Sequence, residues 1–107
     1  MNSPAQLDRS FVALSHPARR AIVERLARGS ATVGEATRGL PLSKPAVTKH
    51  VKVLEQAGVV SRVVEGRTHR LRLEPRPIEA AASWIDRHRA VWESKFDAVE
   101  RYLAEPG

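Results

Sequence analysis

Residues 42–60 read LSKPAVTKHVKVLEQAGVV, and no other stretch restricts the fold as tightly. Ser43 suits a helix N-cap, Pro45 suits the first turn, and Gly58 ends the pattern. In a helix, Val47, Val51 and Leu54 share one side, while Thr48, Lys49 and Lys52 share another. The first side belongs to a core. The second is cationic and points outward. A chain built around this segment must bury half of a short helix and leave the other half accessible.

The charge distribution gives the outward half a partner class. The net charge is +6 over 107 residues. Residues 43–72 hold seven basic side chains (Lys44, Lys49, Lys52, Arg62, Arg67, Arg70, Arg72) against two acids, Glu55 and Glu65. Nearly all of the excess therefore sits in one segment, the electrostatic footprint of a polyanion partner. The length fits a single domain, 1–107. Hydrophobic content of 42% excludes a disordered chain. There is no apolar run approaching the ~18 residues of a membrane span. The opening MNSPAQLDRS lacks the basic-then-apolar order of a secretory signal. With no cysteine, disulfides and thiolate metal sites are excluded, and a reducing cytoplasm is expected.

Around the opening segment the pattern is mainly helical. Ser3-Pro4 can start a first helix with Leu7, Phe11 and Leu14 as its apolar stripe. After Ser15-His16-Pro17, a second helix carries Ala18, Ile22 and Leu26 inward, with Arg19, Arg20, Glu24, Arg25 and Arg28 outside. Residues 31–33 suggest a short strand, and Gly34 to Arg38 a brief third helix. Val59–Val64 and Thr68–Leu73 form a β-hairpin around Glu65-Gly66-Arg67. Pro75 and Pro77 are expected to break the second strand, ahead of a helix from Ile78 to Ala104.

The order of helices, a capped helix with a basic face and a basic hairpin is that of a winged helix-turn-helix. The fold class is mainly α with a small β-hairpin wing, ordered α-α-α-α-β-β-α. The recognition helix spans about 43–57, the wing about 59–74 and a terminal dimerisation helix about 77–104. A helix fits the B-DNA major groove, and its N-terminal residues reach base edges. Lys44 can reach guanine acceptors, Ser43 and Thr48 can hydrogen-bond, and Lys49 and Lys52 suit phosphates.

The stretches ALSHPARRAIVERLARG and LSKPAVTKHVKVLEQAGVVSRVVEGRTHRLRLEP resemble the ArsR family of bacterial winged-helix repressors. The resemblance runs from about Phe11 to Tyr102. It implies a homodimeric transcriptional regulator in the bacterial cytoplasm, nucleoid-associated when bound to an inverted-repeat operator in double-stranded DNA and released by an effector that the residues do not name. It implies DNA reading by Ser43, Lys44, Thr48 and Lys49, with His50 and Lys52 beside them. Pro45 in the first turn and Arg62 and Arg67 on the wing complete the set. Glutamine is common in the family at position 44, so lysine implies a different base preference.

Some members of that family sense metals, and here the ligand sets are incomplete. Thr32-Val33-Gly34-Glu35-Ala36 stands where paired cysteines would be needed. Asp86 and His88 match half of a site on the last helix, but Val99 and Tyr102 occupy the other half. No metal and no cofactor are expected, and His88 is assigned to a helix–helix contact. His16 reads as local helix-start structure and His69 as part of the strand's apolar face with Leu71 and Leu73. His50, at the edge of the core side, suits either packing or a phosphate. There is no Ser/His/Asp constellation and no Gly-rich phosphate loop, so no enzyme is expected.

All five aromatic residues (Phe11, Trp84, Trp92, Phe96 and Tyr102) lie outside the basic segment. Single-strand binding needs aromatics for base stacking, so duplex DNA is favoured. On the last helix, Ile85, His88, Trp92, Phe96, Val99 and Leu103 recur every three or four residues, widened by Trp84. With Leu7 and Phe11 of the first helix, they are assigned to a dimer interface. The rival readings are a winged-helix protein-interaction module and a metal-responsive repressor.

Overall fold

A computed structural model describes residues 4–104, the side chain of Trp92 excepted. Ser3, expected to open the first helix, lies outside the described residues. The elements are α1 (Pro4–Ala13), α2 (Pro17–Leu26), β1 (Ala31–Thr32), α3 (Val33–Thr37), α4 (Lys44–Gln56), β2 (Val60–Glu65), β3 (Thr68–Leu73) and α5 (Pro75–Ala104). The three strands form one antiparallel sheet in the order β1-β3-β2. Ala31 faces Leu71 across it, and Val60 faces Leu73. Under the sheet lies one core: Ile22 and Leu26 from α2, Ala36 from α3, Val51 and Leu54 from α4, Val59, Val60 and Leu71.

The end of α4 shows why the hairpin begins one residue later than its β-branched run suggests. Gly58 has φ +74°, a left-handed conformation that favours glycine. Its N–H donates to the Glu55 carbonyl at 3.0 Å, and the Val59 N–H donates to the Leu54 carbonyl at 3.1 Å. These two bonds with the buried Leu54–Val59 pair form a Schellman motif. Val59 therefore closes the helix, and β2 starts at Val60. The hairpin turn is Gly66-Arg67 alone, since Glu65 pairs with Thr68. Gly66 has φ +63° at the first central position, as a II′ turn requires.

The last helix corrects the sequence reading at its start. Pro75 and Pro77 lie within the first turn of α5 rather than before it. The first turn's N–H groups have no intrahelical acceptor, so the missing proline donors cost nothing there. At 30 residues α5 is about 45 Å long at ~1.5 Å rise per residue. The radius of gyration is 18.2 Å, against ~13 Å for a compact chain of about 100 residues. The far half of α5 thus stands clear of the core.

Two corrections concern α1 and α2. The α1 stripe of Leu7, Phe11 and Leu14 is half-buried, and the fully buried positions are Ser10 and Ala13. Ser10 Oγ donates to the Gln6 carbonyl at 3.1 Å, and Gln6 Nε2 donates to the Ala57 carbonyl at 2.6 Å. A side chain of α1 thereby caps the end of α4. Arg19, placed outside by periodicity, folds back instead. Its Nε donates to the Ala13 carbonyl at 2.7 Å and its Nη2 to the Val12 carbonyl at 3.0 Å. Arg20 Nη1 donates to the Leu14 carbonyl at 2.8 Å, and Arg25 Nη1 to the Ala36 carbonyl at 3.2 Å. These arginines bond carbonyls at or just past the ends of α1 and α3, where intrahelical donors run out.

Arg19 also bears on His50, for which the sequence leaves packing and a phosphate contact both open. That imidazole is 8% exposed, and its Nδ1 accepts from Arg19 Nη1 at 3.1 Å. Its ring lies 4.4 Å from that of His16, whose Nδ1 accepts from the Ala18 N–H as the N-cap of α2. His50 is therefore an inward residue holding α4 to the start of α2. Burial first, then the charges of His16, Arg19 and Lys49, hold its pKa below the ordinary 6.5. The folded chain binds fewer protons here than the unfolded chain. The associated stability is full above about pH 6.5 and is lost as pH falls from there through the lower folded value. Thermal melts between about pH 8 and about pH 5 should show Tm falling below that point. His50→Asn, whose Oδ1 can accept from Arg19 without titrating, should fall less steeply. An equal acid decline in both proteins excludes His50 as the group responsible.

Candidate nucleic-acid interface

Helix α4 is anchored from one side and open on the other. Val51 and Leu54 are buried, and Val47 packs against the core from its edge. Ser43, Lys44, Pro45, Thr48, Lys49 and Lys52 are all exposed. Ser43 is the N-cap, and its Oγ accepts from the Ala46 N–H at 3.3 Å. Its own O–H stays available as a donor. The first turn carries no acid, so the positive end of the helix is not neutralised. Thr48 Oγ1 donates to the Lys44 carbonyl at 3.1 Å. Its hydroxyl proton is thus committed within the helix, leaving an acceptor lone pair and a methyl for an outside partner.

The wing adds a second cationic element. Every residue from Val63 to His69 is exposed, with Arg67 in the tip turn. Arg62 is exposed but not unpartnered. Its Nη2 and Nε reach the two Glu55 oxygens at 2.7 and 3.3 Å, and its Nη1 lies 3.0 Å from His69 Nδ1. His69 was expected to pack with Leu71; it is exposed and accepts from Arg62 instead. From the sequence, Glu55 is legible only as a charge. The available signal was an acid on a helix side otherwise cationic.

The residues assigned to a dimer interface divide into two groups. Leu7 and Phe11 are half-buried, and the Phe11 ring meets Trp84 edge-on at 5.7 Å. His88 stacks on Trp84 at 4.3 Å and its Nδ1–H donates to the Trp84 carbonyl at 2.7 Å. Both of these contacts lie within α5. Farther along, Ile85, Val91, Phe96, Val99, Tyr102 and Leu103 are exposed, Phe96 by 64% and Leu103 by 74%. Trp92's side chain lies outside the described residues. Asp86 pairs with Arg89 at 3.2 Å. Among the described residues, no group of three or more His, Cys, Asp or Glu could hold a metal. No helix there is long and apolar enough to cross a membrane.

With this geometry, the chain can be set beside known proteins. A family model described as a helix-turn-helix domain matches residues 14–63, which span α2 through most of β2. The HTH-type transcriptional regulator Rv2034 of Mycobacterium tuberculosis is 45% identical over 80 residues, covering 75% of each chain. The transcriptional repressor SdpR of Bacillus subtilis is 31% identical over 75 residues, covering 70% of this chain and 83% of that one. Among solved structures, an ArsR family transcriptional regulator, RHA00566, superposes with TM-score 0.77 at 35% identity. That match covers 87% of this chain and 96% of the other. An ArsR-like transcriptional regulator from Rhodococcus sp. RHA1 gives TM-score 0.69 at 30% identity over 96% of both chains. A helix with one buried and one cationic side, a hairpin wing and these similarities agree: the chain belongs to the ArsR family of winged helix-turn-helix, DNA-binding transcriptional regulators.

Proposed function

We propose that this regulator acts as a homodimeric repressor that occupies an inverted-repeat operator in duplex DNA. The observation that carries the proposal is the exposed set of Ser43, Lys44, Pro45, Thr48, Lys49 and Lys52, on and at the start of a helix whose other side is core. Repression itself is inferred from the Bacillus subtilis relative, which is named a transcriptional repressor. Residues 1–107 work as one domain, with 43–57 reading, 59–74 as the wing and 77–104 joining the subunits. The setting is the cytoplasm, on the nucleoid when DNA is bound, with no metal required. Selection of duplexes from a random pool at physiological salt should return a palindrome with half-sites about one helical turn apart. Recovery of no preferred sequence overturns the proposal.

Within each half-site, Lys44 reads guanine, and Thr48 offers its acceptor and methyl to a neighbouring base. Pro45, which lacks an N–H, gives a close apolar contact. Ser43, Lys49 and Lys52 hold phosphates, and His50, being buried, takes no part. Lys44→Ala should weaken operator binding by ~1–3 kcal/mol and relax the preference at one position per half-site. Unchanged affinity and preference would remove Lys44 from the reading set. Arg67 meets phosphate or the minor groove from the wing tip. Arg67→Ala should lower affinity for many sequences alike and reduce the salt slope by about one. A slope equal to wild type counts against wing contact.

The apolar side of α5 supports the homodimer. Exposed Phe96, Val99 and Leu103 lie beyond the reach of the core, and a second copy would cover them together with Leu7 and Phe11. Burying each such side chain contributes about 1.5–3 kcal/mol, and a two-fold interface uses every residue twice. Sedimentation equilibrium should show a dimer at micromolar concentration. Phe96→Ala should dissociate at lower dilution while keeping its helical signal. Its operator affinity should fall too, because a lone subunit loses the gain from a linked second reading head. A monomeric wild type rules the dimer out.

A further inference from the structure

Glu55 is misplaced for a protein whose reading helix faces a polyanion. It follows Thr48 by seven residues and Lys52 by three, so it continues the outward side of α4. A carboxylate there repels phosphate. It is also the one acid of α4. Its partner is drawn from a different element. Arg62 lies on β2 and presents Nε and Nη2 to the two carboxylate oxygens, at 3.3 and 2.7 Å. This is the forked, two-bond arrangement that fixes direction as well as distance. The third nitrogen, Nη1, lies 3.0 Å from His69 Nδ1 on β3. One guanidinium thus joins the last turn of α4 to both strands of the wing. The pair is partly withdrawn from water, at 31% and 30% side-chain exposure. Beyond it, residues 63–69 are exposed without exception.

We propose that Glu55 is a positioning residue, which through Arg62 and His69 sets the wing at a fixed angle to the reading helix. Arg62 accordingly holds a carboxylate rather than a phosphate. The inference rests on the reading that α4 and the wing dock on the same duplex. Its physical basis is preorganisation. A tip that is already placed when α4 enters the groove loses less freedom on binding. The acid repels DNA slightly and yet favours the complex.

The sign of one substitution separates this from a bystander role. Glu55→Gln removes a negative charge, so electrostatics alone predicts tighter binding. Positioning predicts the opposite. On the duplex that wild type selects, Glu55→Gln should bind about three- to tenfold more weakly, with the salt slope unchanged. The Arg67→Ala penalty should shrink in the Glu55→Gln background, because a loose wing gains less from its tip. Arg62→Lys should not rescue, since an ammonium cannot fork to a carboxylate and reach His69 together. A far-ultraviolet spectrum and melt matching wild type show that each variant is folded. Glu55→Gln binding as tightly as wild type or tighter overturns the proposal. So does a salt slope lowered by about one in a folded Arg62→Gln, which makes Arg62 a phosphate contact. Failure of the underlying reading looks different: wild type itself then selects no duplex.

Discussion

Everything the reading helix does depends on how firmly its inner side is held. Val51 and Leu54 are buried to within 1% of full enclosure, against Ile22, Val59 and Leu71. Apolar contact alone leaves a helix free to slide or roll by small amounts. Polar groups at its edges limit that freedom. At the amino end Ser43 caps the first turn; in the middle His50 bonds Arg19; at the carboxyl end Gln6 bonds Ala57. The Ser43 cap bonds the helix's own Ala46 N–H, while the other two tie α4 to α2 and to α1, so its middle and carboxyl end are fixed before any DNA is present. Such preorganisation matters for base readout, where hydrogen-bond geometry tolerates little displacement.

The same tethers explain how the basic charge is divided. The count of 18 lysines and arginines overstates the cationic surface open to phosphates. Arg19, Arg20 and Arg25 are bonded to helix-terminal carbonyls. Arg62 holds Glu55, Arg72 lies 3.7 Å from Glu74, and Arg89 pairs with Asp86. Lys44, Lys49 and Lys52 stay exposed on α4. The charge relevant to DNA is therefore smaller than the total and more concentrated than the sequence count implies.

The sequence discloses this fold unevenly, and the reasons are local. The span of α4 is legible because its N-cap, first-turn proline and terminal glycine all act through nearest neighbours. The hairpin is legible for the same reason, apart from its first residue, which the helix cap claims. The start of α5 is not: Pro75 breaks a strand and opens a helix equally well, and only its place decides. Arg19 and Arg25 of α2 are misassigned by periodicity, because a long side chain can curl from an outward position onto a carbonyl one helix away. His50 shows the same limit in reverse. Its place at the rim of the inner side is correct, but its burial depends on Arg19 and His16, which are remote in sequence. The Glu55–Arg62 pair is nearer, seven residues apart, but it joins two elements across the turn that ends α4.

The division between lysine and arginine follows from their chemistry. Guanidinium is planar, carries five donors and is weakly hydrated, so it can satisfy two or three acceptors at once in a partly dry place. Arg19 does this with two carbonyls and an imidazole, and Arg62 with a carboxylate and an imidazole. Ammonium is a compact, strongly hydrated charge on a flexible stem, which suits contact with phosphates along a backbone. In this chain, the arginines of α2 and β2 fix the frame, while the basic residues on the exposed side of α4 are all lysines. Exchanging the two types would keep the net charge and lose the frame, which needs forked donors, whereas arginines on α4 could still reach phosphate and guanine.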